Sequence, residues 1–214
     1  MKTVLVTGGT VRLGKAIAER LRTDGWQVLT SSHRVDAGAD FVADLSVPHG
    51  AERLYAAVLQ RLGGEPPDAL VNNAALFAGD DAAVFAVGFD APKQLTLLMA
   101  GRTSGVGAVV NVLDASVEKP GSATGEAYRA AKRELRSFTL SSARTLSATL
   151  RVNAVAPGPV LAPPGVRERA GAMLLARRPQ LGDVAAAVAY LLAAEATTGC
   201  VIPVDAGQSL LERP

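Results

Sequence analysis

The sequence predicts a single α/β domain over residues 1–214, built as a doubly wound, seven-stranded and mainly parallel sheet. Short aliphatic and β-branched runs alternate with longer amphipathic segments, which is the pattern of repeated βαβ units. A chain of 214 residues suits one well-buried domain better than two. Hydrophobic residues make up 49% of the chain but aromatic residues only 4%, so we expect a core of Ala, Val and Leu.

The predicted strands are nearly continuous apolar runs, as expected when helices cover both faces of a parallel sheet. They lie at Thr3–Thr7, Gln27–Ser31, Phe41–Ala43, Ala69–Val71, Ala108–Leu113, Arg151–Val155 and Val201–Val204. Amphipathic segments between these strands predict helices. The helices are expected at Leu13–Thr23, Pro48–Leu62, Asp81–Gly101, Glu126–Ser147 and Gly182–Ala194.

Charge and cysteine usage argue against several classes of function. The net charge is only +2 and the basic residues are scattered, which does not support nucleic-acid binding. The single cysteine, Cys200, cannot form an intrachain disulfide, which fits a reducing compartment. The first apolar run is too short for a signal peptide, and no stretch is long enough to span a membrane. We therefore expect a soluble, cytoplasmic protein that binds a small molecule, without a metal or a membrane partner.

Residues 4–16 combine a strand, a tight glycine turn and the start of a helix. Such a turn presents backbone N–H groups and the positive end of the helix dipole to a pyrophosphate. Gly8 allows the sharp turn and Gly14 allows close packing of the helix, whereas Arg12 stands where a middle glycine is usual. The alternative is a glycine turn with a purely structural role. We expect dinucleotide contacts at Gly8, Arg12, Leu13 and Gly14.

The end of the second strand predicts which dinucleotide binds. NAD-selective folds place an Asp or Glu there, but this chain has Ser-Ser-His-Arg, ending at Arg34. His33 and Arg34 can pair with a 2′-phosphate, which predicts NADPH. Alternatively, both are solvated and Asp36 binds the ribose of NAD. Asp44 and Leu45 are expected beside the adenine, although Asp44 can equally cap the next helix.

Tyr128 and Lys132 are four residues apart on one predicted helix, so both side chains lie on the same face. A neighbouring ammonium favours the phenolate form. We therefore expect Lys132 to lower the pKa of Tyr128 from about 10 towards neutrality, where the phenol can exchange protons. Alone, the spacing also fits a solvated pair on a helix surface.

Four motifs occur in one order along the chain: Thr7-Gly8…Gly14, Asn72-Asn73-Ala74-Ala75, Tyr128…Lys132 and Asn153…Pro157-Gly158. Together they resemble the motif set of the short-chain dehydrogenase/reductase family over essentially the whole chain. The resemblance implies a Rossmann-like fold with Tyr128 as proton donor and Lys132 on the nicotinamide ribose. It also implies a homodimer or homotetramer, with Leu135, Phe138 and Leu146 as interface residues unless they belong to the core. Further implied cofactor contacts are Asn73, Ala74, Pro157 and Gly158.

The chain departs from the family at the serine that usually binds the substrate carbonyl. Ala115 stands at that offset, flanked by Asp114 and Ser116. One extra loop residue puts Asp114 in the serine's place. Alternatively, Asp114 merely caps the loop that leaves the strand, or Ser116 fills the serine's role. The family's helix asparagine is expected to correspond to Asp90. The Asp114 alternative resembles pteridine reductases and dihydromonapterin reductases, as do Arg12, His33, Arg34 and Phe77.

A carboxyl group in this position suits a nitrogen heterocycle better than a ketone, because it can pass a proton to an imine nitrogen. The leading expectation is therefore NADPH-dependent reduction of a dihydropterin. One alternative is a general carbonyl or 3-oxoacyl reductase with Ser116 as hydroxyl donor, and another is a non-catalytic NADP-binding redox sensor. Substrate contacts are expected at Arg12, Phe77, Asp114 and Tyr128.

Overall fold

The computed structural model describes residues 1–77, 79–101, 105–117, 125–160 and 173–211. Its strands are β1 (Thr3–Thr7), β2 (Gln27–Ser32), β3 (Phe41–Val42), β4 (Ala69–Asn72), β5 (Gly107–Val112), β6 (Leu150–Pro157) and β7 (Val201–Val204). They form one sheet in the order β3-β2-β1-β4-β5-β6-β7, and every pairing is parallel. The predicted doubly wound fold is confirmed, and its sheet is parallel throughout rather than mainly parallel.

Helices alternate with these strands, as the amphipathic segments predicted. They are α1 (Arg12–Thr23), α2 (Gly50–Arg61), α3 (Asp81–Phe85), α4 (Ala91–Ala100), α5 (Glu126–Thr145) and α6 (Leu181–Ala193). The single helix predicted over 81–101 is interrupted by a π-helical segment, Ala86–Asp90, which joins α3 to α4. Short 3-10 turns follow β2 and β7, at Val35–Ala37 and Gln208–Leu210.

Strand β1 shows how the two helical layers cover the sheet. Successive side chains of a strand point to opposite faces, so Val4 and Val6 share one core cluster and Leu5 belongs to another. The first cluster is closed by α1 and α6, and the second by α2 and α4. All three side chains are fully buried, which explains why the strand is a continuous apolar run.

The residues considered for a subunit interface, on α5 and directly after it, belong largely to the core. Leu135 is 0% exposed and packs with Leu113. The ring of Phe138 meets that of Phe89 edge to face, with centroids 6.3 Å apart. Leu146 is partly buried against the α2 and α4 layer. The packing of these three side chains is explained without a second subunit.

Helix α2 begins two residues later than predicted. His49 adopts a left-handed backbone conformation with φ of 58°, so the helix starts at Gly50 rather than at Pro48. The capping role considered for Asp44 is wrong, because its Oδ1 accepts hydrogen bonds from the backbone N and Oγ of Ser46 instead. A Cβ on Gly50 would lie 2.1 Å from the Asp44 carbonyl oxygen, so the helix needs glycine where it packs on this turn.

The strand order reverses between β1 and β4, which are hydrogen-bonded neighbours. From β1 the chain continues to β2 on one side, and from β4 to β5 on the other. The loops that leave these two strands therefore diverge and open a crevice at the carboxyl edge of the sheet, the usual ligand position in such folds. Within the described residues, no helix combines the length and hydropathy that crossing a membrane requires.

Candidate active site

A cleft of about 840 Å³ lies at the carboxyl ends of the central strands. Every residue that the sequence assigned to cofactor or substrate lines it. These are Gly8, Arg12, Leu13, Gly14, His33, Arg34, Asp44, Leu45, Asn73, Ala74, Phe77, Asp114, Tyr128, Lys132, Pro157 and Gly158. The fold thus brings together residues that lie between positions 8 and 158 of the sequence. Their chemical roles stay predictions.

The glycine turn after β1 is closely packed against the helix that follows it. Gly8 has φ of +62°, in the left-handed region that favours glycine. A Cβ on Gly14 would lie 2.0 Å from the Gly8 carbonyl oxygen and 2.5 Å from Asn73 Nδ2. Val11 precedes α1 without a side-chain cap, and the first turn of α1 lines the cleft. This geometry fits a pyrophosphate, because it combines backbone N–H groups with the positive end of a helix dipole.

Hydrogen bonds tie the loop after β4 to the glycine turn. Thr7 Oγ1 accepts from the backbone N–H groups of Asn73 and Ala74, at 3.0 and 3.1 Å. In return, Asn73 Nδ2 donates to the carbonyl oxygens of Thr7 and Gly8, at 2.9 and 3.2 Å. The Asn73 amide therefore holds the two loops together, and Asn73 lines the cleft next to the glycine turn.

The end of β2 forms the opposite end of the cleft. His33 and Arg34 are exposed and line it, and the backbone N–H of Arg34 donates to Ser32 Oγ at 3.1 Å. An imidazole and a guanidinium at this point are suited to a phosphate group. The alternative ribose ligand, Asp36, has its backbone in the turn Val35–Ala37, and its side chain lies outside the described part of the structure.

Asp44 lies on the cleft wall near this cationic end. The hydrogen bonds from the side chain and the backbone of Ser46 lower the pKa of the Asp44 carboxyl group, and the nearby charges of His33 and Arg53 act in the same direction. The Asp44 carboxylate is mostly exposed, so it adds a solvated negative charge near His33 and Arg53.

Tyr128 is 4% exposed, and its hydroxyl group donates to Asp114 Oδ2 at 3.1 Å. The other carboxylate oxygen, Oδ1, accepts from the backbone N and from Oγ of Ser116, at 2.7 and 2.6 Å. Of the two candidates for the missing serine's place, Asp114 is therefore the one that contacts the tyrosine. Ser116 directs its hydroxyl proton to the carboxylate.

Lys132 is 2% exposed, and its Nζ donates to the carbonyl oxygen of Val112 at 2.7 Å. Its ammonium also lies 5.7 Å from the centre of the Tyr128 ring. The i, i+4 spacing on α5 places both side chains on the face that packs against the sheet, as predicted. The solvated-pair alternative is wrong, because both side chains are buried.

The lowered pKa predicted for Tyr128 is also wrong in direction. Burial raises the pKa of the Tyr128 phenol well above its ordinary value, and the negative charge of Asp114 and its hydrogen bond raise it further. Burial lowers the pKa of the Lys132 ammonium to about 8, against an ordinary 10.5, with part of the shift offset by Asp114. Desolvation disfavours the charged form of both groups, and the sequence does not show its extent. Tyr128 is thus held as the neutral phenol.

Lys132 therefore gives a pH-dependent stability that can be measured. An unfolded lysine keeps the ordinary pKa of 10.5, so between about pH 8 and that value the unfolded chain binds more protons than the folded one. Folding stability consequently rises with pH in this window. We expect the free energy of unfolding of the wild type, relative to Lys132→Met, to increase by roughly 2 kcal/mol between pH 7 and pH 10.

Urea unfolding without cofactor at the two pH values measures this difference. Lys15→Met is the control, because that side chain is 62% exposed and its ion pair with Glu19 lies on the surface of α1. Its stability relative to the wild type should stay constant. A pH-independent difference for Lys132→Met would contradict the burial of a charged ammonium.

Phe77 covers the tyrosine from the cleft side. The two ring centroids are 5.2 Å apart and the ring planes are inclined by 31°. Phe77 is 44% exposed, so one face of its ring contacts Tyr128 while much of the rest borders the open cleft. An exposed aromatic face beside a proton donor is suited to packing against a flat heterocycle.

The correspondence of Asp90 to the family's helix asparagine is wrong, because Asp90 is exposed at the end of the π-helical segment. The residues of this segment that turn inward are Val87, which lines the cleft, and Gly88. A Cβ on Gly88 would lie 2.9 Å from the Ala131 Cβ on α5. The π-helical segment and α5 are therefore in close contact at Gly88 and Ala131.

Several groups in the site were missed by sequence reasoning. Thr7 organises both central loops through Oγ1, and the Val112 carbonyl holds Lys132. Gln208, in the 3-10 turn after β7, and Leu181, at the start of α6, also line the cleft. Thr7 could have been found from its place directly before the glycine turn, whereas a backbone carbonyl or a distant loop residue leaves no local sequence signal.

The parallel sheet with a glycine turn at its switch point, and a buried Tyr–Lys pair beside it, define a dinucleotide-binding oxidoreductase domain. The chain belongs to the short-chain dehydrogenase family, whose model matches residues 2–171.

Known proteins that are similar to this chain carry different names and activities. Protein FixR of Bradyrhizobium diazoefficiens is 29% identical over 98% of this chain and 87% of its own length. The 3-oxoacyl-[acyl-carrier-protein] reductase FabG of Vibrio cholerae is also 29% identical, over 98% of both chains. The crystal structure of FolM alternative dihydrofolate reductase 1 from Brucella canis, complexed with NADP, superposes with a TM-score of 0.84 at 31% identity, covering 100% of this chain and 96% of that one.

Proposed function

We propose that the protein is an NADPH-dependent reductase of a dihydropterin, with Tyr128 as the proton donor. One observation carries the proposal: the Tyr128 hydroxyl group donates to Asp114 Oδ2 at 3.1 Å, where most members of the family have a serine. A carboxyl group donates a hydrogen bond when protonated and accepts when ionised. It can therefore match the amino groups and ring nitrogens of a pterin.

Electrostatics favours a nitrogen substrate over a ketone at this position. Reduction of a ketone develops negative charge on oxygen, and a neighbouring carboxylate repels that charge. Protonation of an imine nitrogen develops no such anion. The FolM dihydrofolate reductase of similar structure supports the same class of substrate. The exposed face of Phe77, next to Tyr128, offers a surface for the ring.

Three side chains of the cleft orient the reacting groups or transfer the proton. When bound, NADPH supplies a hydride. Tyr128 holds the proton on its hydroxyl group, since its raised pKa keeps the phenol neutral at physiological pH. Asp114 fixes the direction of that hydroxyl group and takes part in its proton transfer as an acid–base group. Lys132 is fixed by Val112 on the floor of the cleft, where its remaining N–H groups can bind a ribose.

The cationic end of the cleft supports NADPH rather than NADH as the reductant. We expect Arg34→Ala to raise the KM for NADPH by about tenfold or more and to leave the KM for NADH nearly unchanged, because only the phosphate forms a charge-assisted hydrogen bond with the guanidinium. Initial rates with the two nucleotides measure the effect. Arg22→Ala, in the last turn of α1, is the control. Equal losses with both nucleotides would contradict this assignment.

The substrate class is tested by following NADPH consumption with dihydrobiopterin, dihydrofolate and a 3-oxoacyl thioester. We expect turnover of a dihydropterin, reduced by about 10²-fold or more in Asp114→Asn, because general acid–base groups contribute at least this much. Asp80→Asn, which alters an exposed helix cap, should keep the wild-type rate. Absence of turnover with any pterin would refute the proposal, and tight NADPH binding without turnover on the whole panel would favour a redox sensor.

A general carbonyl or 3-oxoacyl reductase is the second candidate. The similarity to FabG of Vibrio cholerae favours it, as does the presence of Ser116 in the cleft. In that case Ser116→Ala is crippling and Asp114→Asn is tolerated. The contact of Tyr128 with Asp114 rather than with Ser116 argues against it.

We also propose that the protein is a homodimer or homotetramer. Leu97 on α4 and Leu140 on α5 are each 43% exposed, on helices that pack on the same side of the sheet. Exposed apolar side chains on adjacent helices are suited to an interface. Analytical ultracentrifugation should show a multiple of the 22.0 kDa chain, and a monomer would contradict the proposal.

A further inference from the structure

The two oxygens of the Asp114 carboxylate have separate sets of partners. Oδ1 accepts both hydrogen bonds from Ser116, from the backbone N at 2.7 Å and from Oγ at 2.6 Å. Oδ2 accepts from the Tyr128 hydroxyl group at 3.1 Å. Exchanging the two oxygens requires rotation of the carboxylate and the loss of all three bonds. The arrangement therefore fixes the orientation of the carboxylate and points one of its oxygens at the tyrosine.

We propose that Ser116 is a positioning residue that directs Oδ2 of Asp114 towards the Tyr128 hydroxyl group. Oδ1 is held by two donors of its own turn, which leaves Oδ2 to accept from another group. That oxygen is the one beside the tyrosine hydroxyl group. The inference rests on the proposed function, in which Asp114 and Tyr128 act together. It assigns Ser116 a role that differs from direct binding of a substrate carbonyl.

The conformation of the turn that carries Ser116 depends on the local sequence and not on contact with Tyr128. The same Asp-x-Ser turn occurs at Asp44, where Oδ1 accepts from the backbone N and Oγ of Ser46 at 2.8 and 2.6 Å. An aspartate side chain commonly accepts from the residue two positions on, which makes this a self-contained turn. The backbone N of Ala115 additionally donates to the Pro157 carbonyl oxygen at 2.9 Å, which fastens the turn to the end of β6.

A double-mutant cycle tests the proposal with whichever substrate the wild type reduces. We expect Ser116→Ala to lower kcat by about tenfold with little change in KM, because one charge-assisted hydrogen bond is lost without a lost substrate contact. Ser116→Thr, which retains the hydroxyl group, should restore most of the rate. In the Asp114→Asn background, Ser116→Ala should lower kcat by less than about twofold, since a positioning residue has no effect without the group it positions.

If Ser116→Ala lowers kcat by the same factor in both backgrounds, the proposal is overturned, because a purely structural effect does not depend on Asp114. A loss expressed mainly in KM, or a Ser116→Ala enzyme inactive while Asp114→Asn is active, would also overturn it and would identify Ser116 as a direct substrate ligand. Ser46→Ala is the matched control at the equivalent turn, and its effect on kcat should not depend on Asp114.

If the protein turns over none of the substrates, the proposed function fails but Ser116 can still be tested. In protein labelled with ¹³C at Cζ of tyrosine, the Tyr128 signal is assigned from its loss in Tyr128→Phe. We expect Ser116→Ala to shift this signal and Ser116→Thr to leave it near its original position, because only the former frees the carboxylate to rotate. An unshifted signal in Ser116→Ala would overturn the positioning role independently of catalysis.

Discussion

Tyr128→Phe is expected to lower kcat for dihydropterin reduction by about 10³-fold, because it removes a general acid, a group that typically contributes 10²- to 10⁴-fold. The ring stays in place against Phe77 and only the hydroxyl group that donates to Asp114 is lost. Binding of NADPH, followed by its fluorescence, should therefore change less than about threefold. A selective loss of kcat is the signature of a residue needed for the chemical step.

The change should also have a small structural cost. Asp114 Oδ2 loses its donor, which destabilises the fold by about 1 kcal/mol, as estimated for one unmade hydrogen bond. Tyr190→Phe is the control, since that hydroxyl group belongs to a side chain 58% exposed on α6. Retention of activity within about threefold in Tyr128→Phe would exclude this tyrosine as the proton donor.

Gly14→Ala is expected to have the second large effect, on binding rather than on chemistry. The added methyl group would lie 2.0 Å from the Gly8 carbonyl oxygen and 2.5 Å from Asn73 Nδ2. A Cβ has no rotamer that avoids these atoms, so the backbone of the glycine turn must shift. We expect the Kd for NADPH to rise by about 100-fold and the free energy of unfolding to fall by roughly 2 kcal/mol, within the range measured for overpacked sites.

Gly182→Ala is a matched control for this change. Gly182 lies in the first turn of α6, and a Cβ there has no atom within 4 Å. Alanine has the higher helix propensity, so this variant should be as stable as the wild type or more stable by up to about 1 kcal/mol. Calorimetric titration with NADPH and urea unfolding measure both variants. An unaltered affinity in Gly14→Ala would contradict the placement of the pyrophosphate at this turn.

The sequence predicted the elements that depend on local pattern. Strands β1 and β7 have the predicted bounds, and α1 begins one residue from its predicted start. The order of the motifs also predicted correctly that Gly14, Asn73 and Tyr128 would meet at one edge of the sheet. Strand periodicity and glycine placement are local properties, and the family resemblance supplied the doubly wound arrangement of the sheet.

Properties that depend on packing between distant segments could not be predicted in the same way. The direction of the Tyr128 pKa shift follows from how completely the tyrosine side chain is buried, which the i, i+4 spacing does not show. The π-helical segment and its close contact between Gly88 and Ala131 arise from two helices that meet across the layer. The choice between Asp114 and Ser116 needed the geometry of the turn, because both residues lie within one step of the expected position.

The central claim, direct reduction of a dihydropterin, is tested most directly by isotope transfer. The wild-type protein is incubated with NADPH carrying deuterium in both positions at C4 and with dihydrobiopterin, and the product is analysed by mass spectrometry. Hydride transfer predicts a tetrahydropterin that contains one deuterium, formed in step with oxidised nucleotide and lost in Tyr128→Phe. A product without deuterium, or oxidation of the nucleotide with the pterin unchanged, would contradict the account.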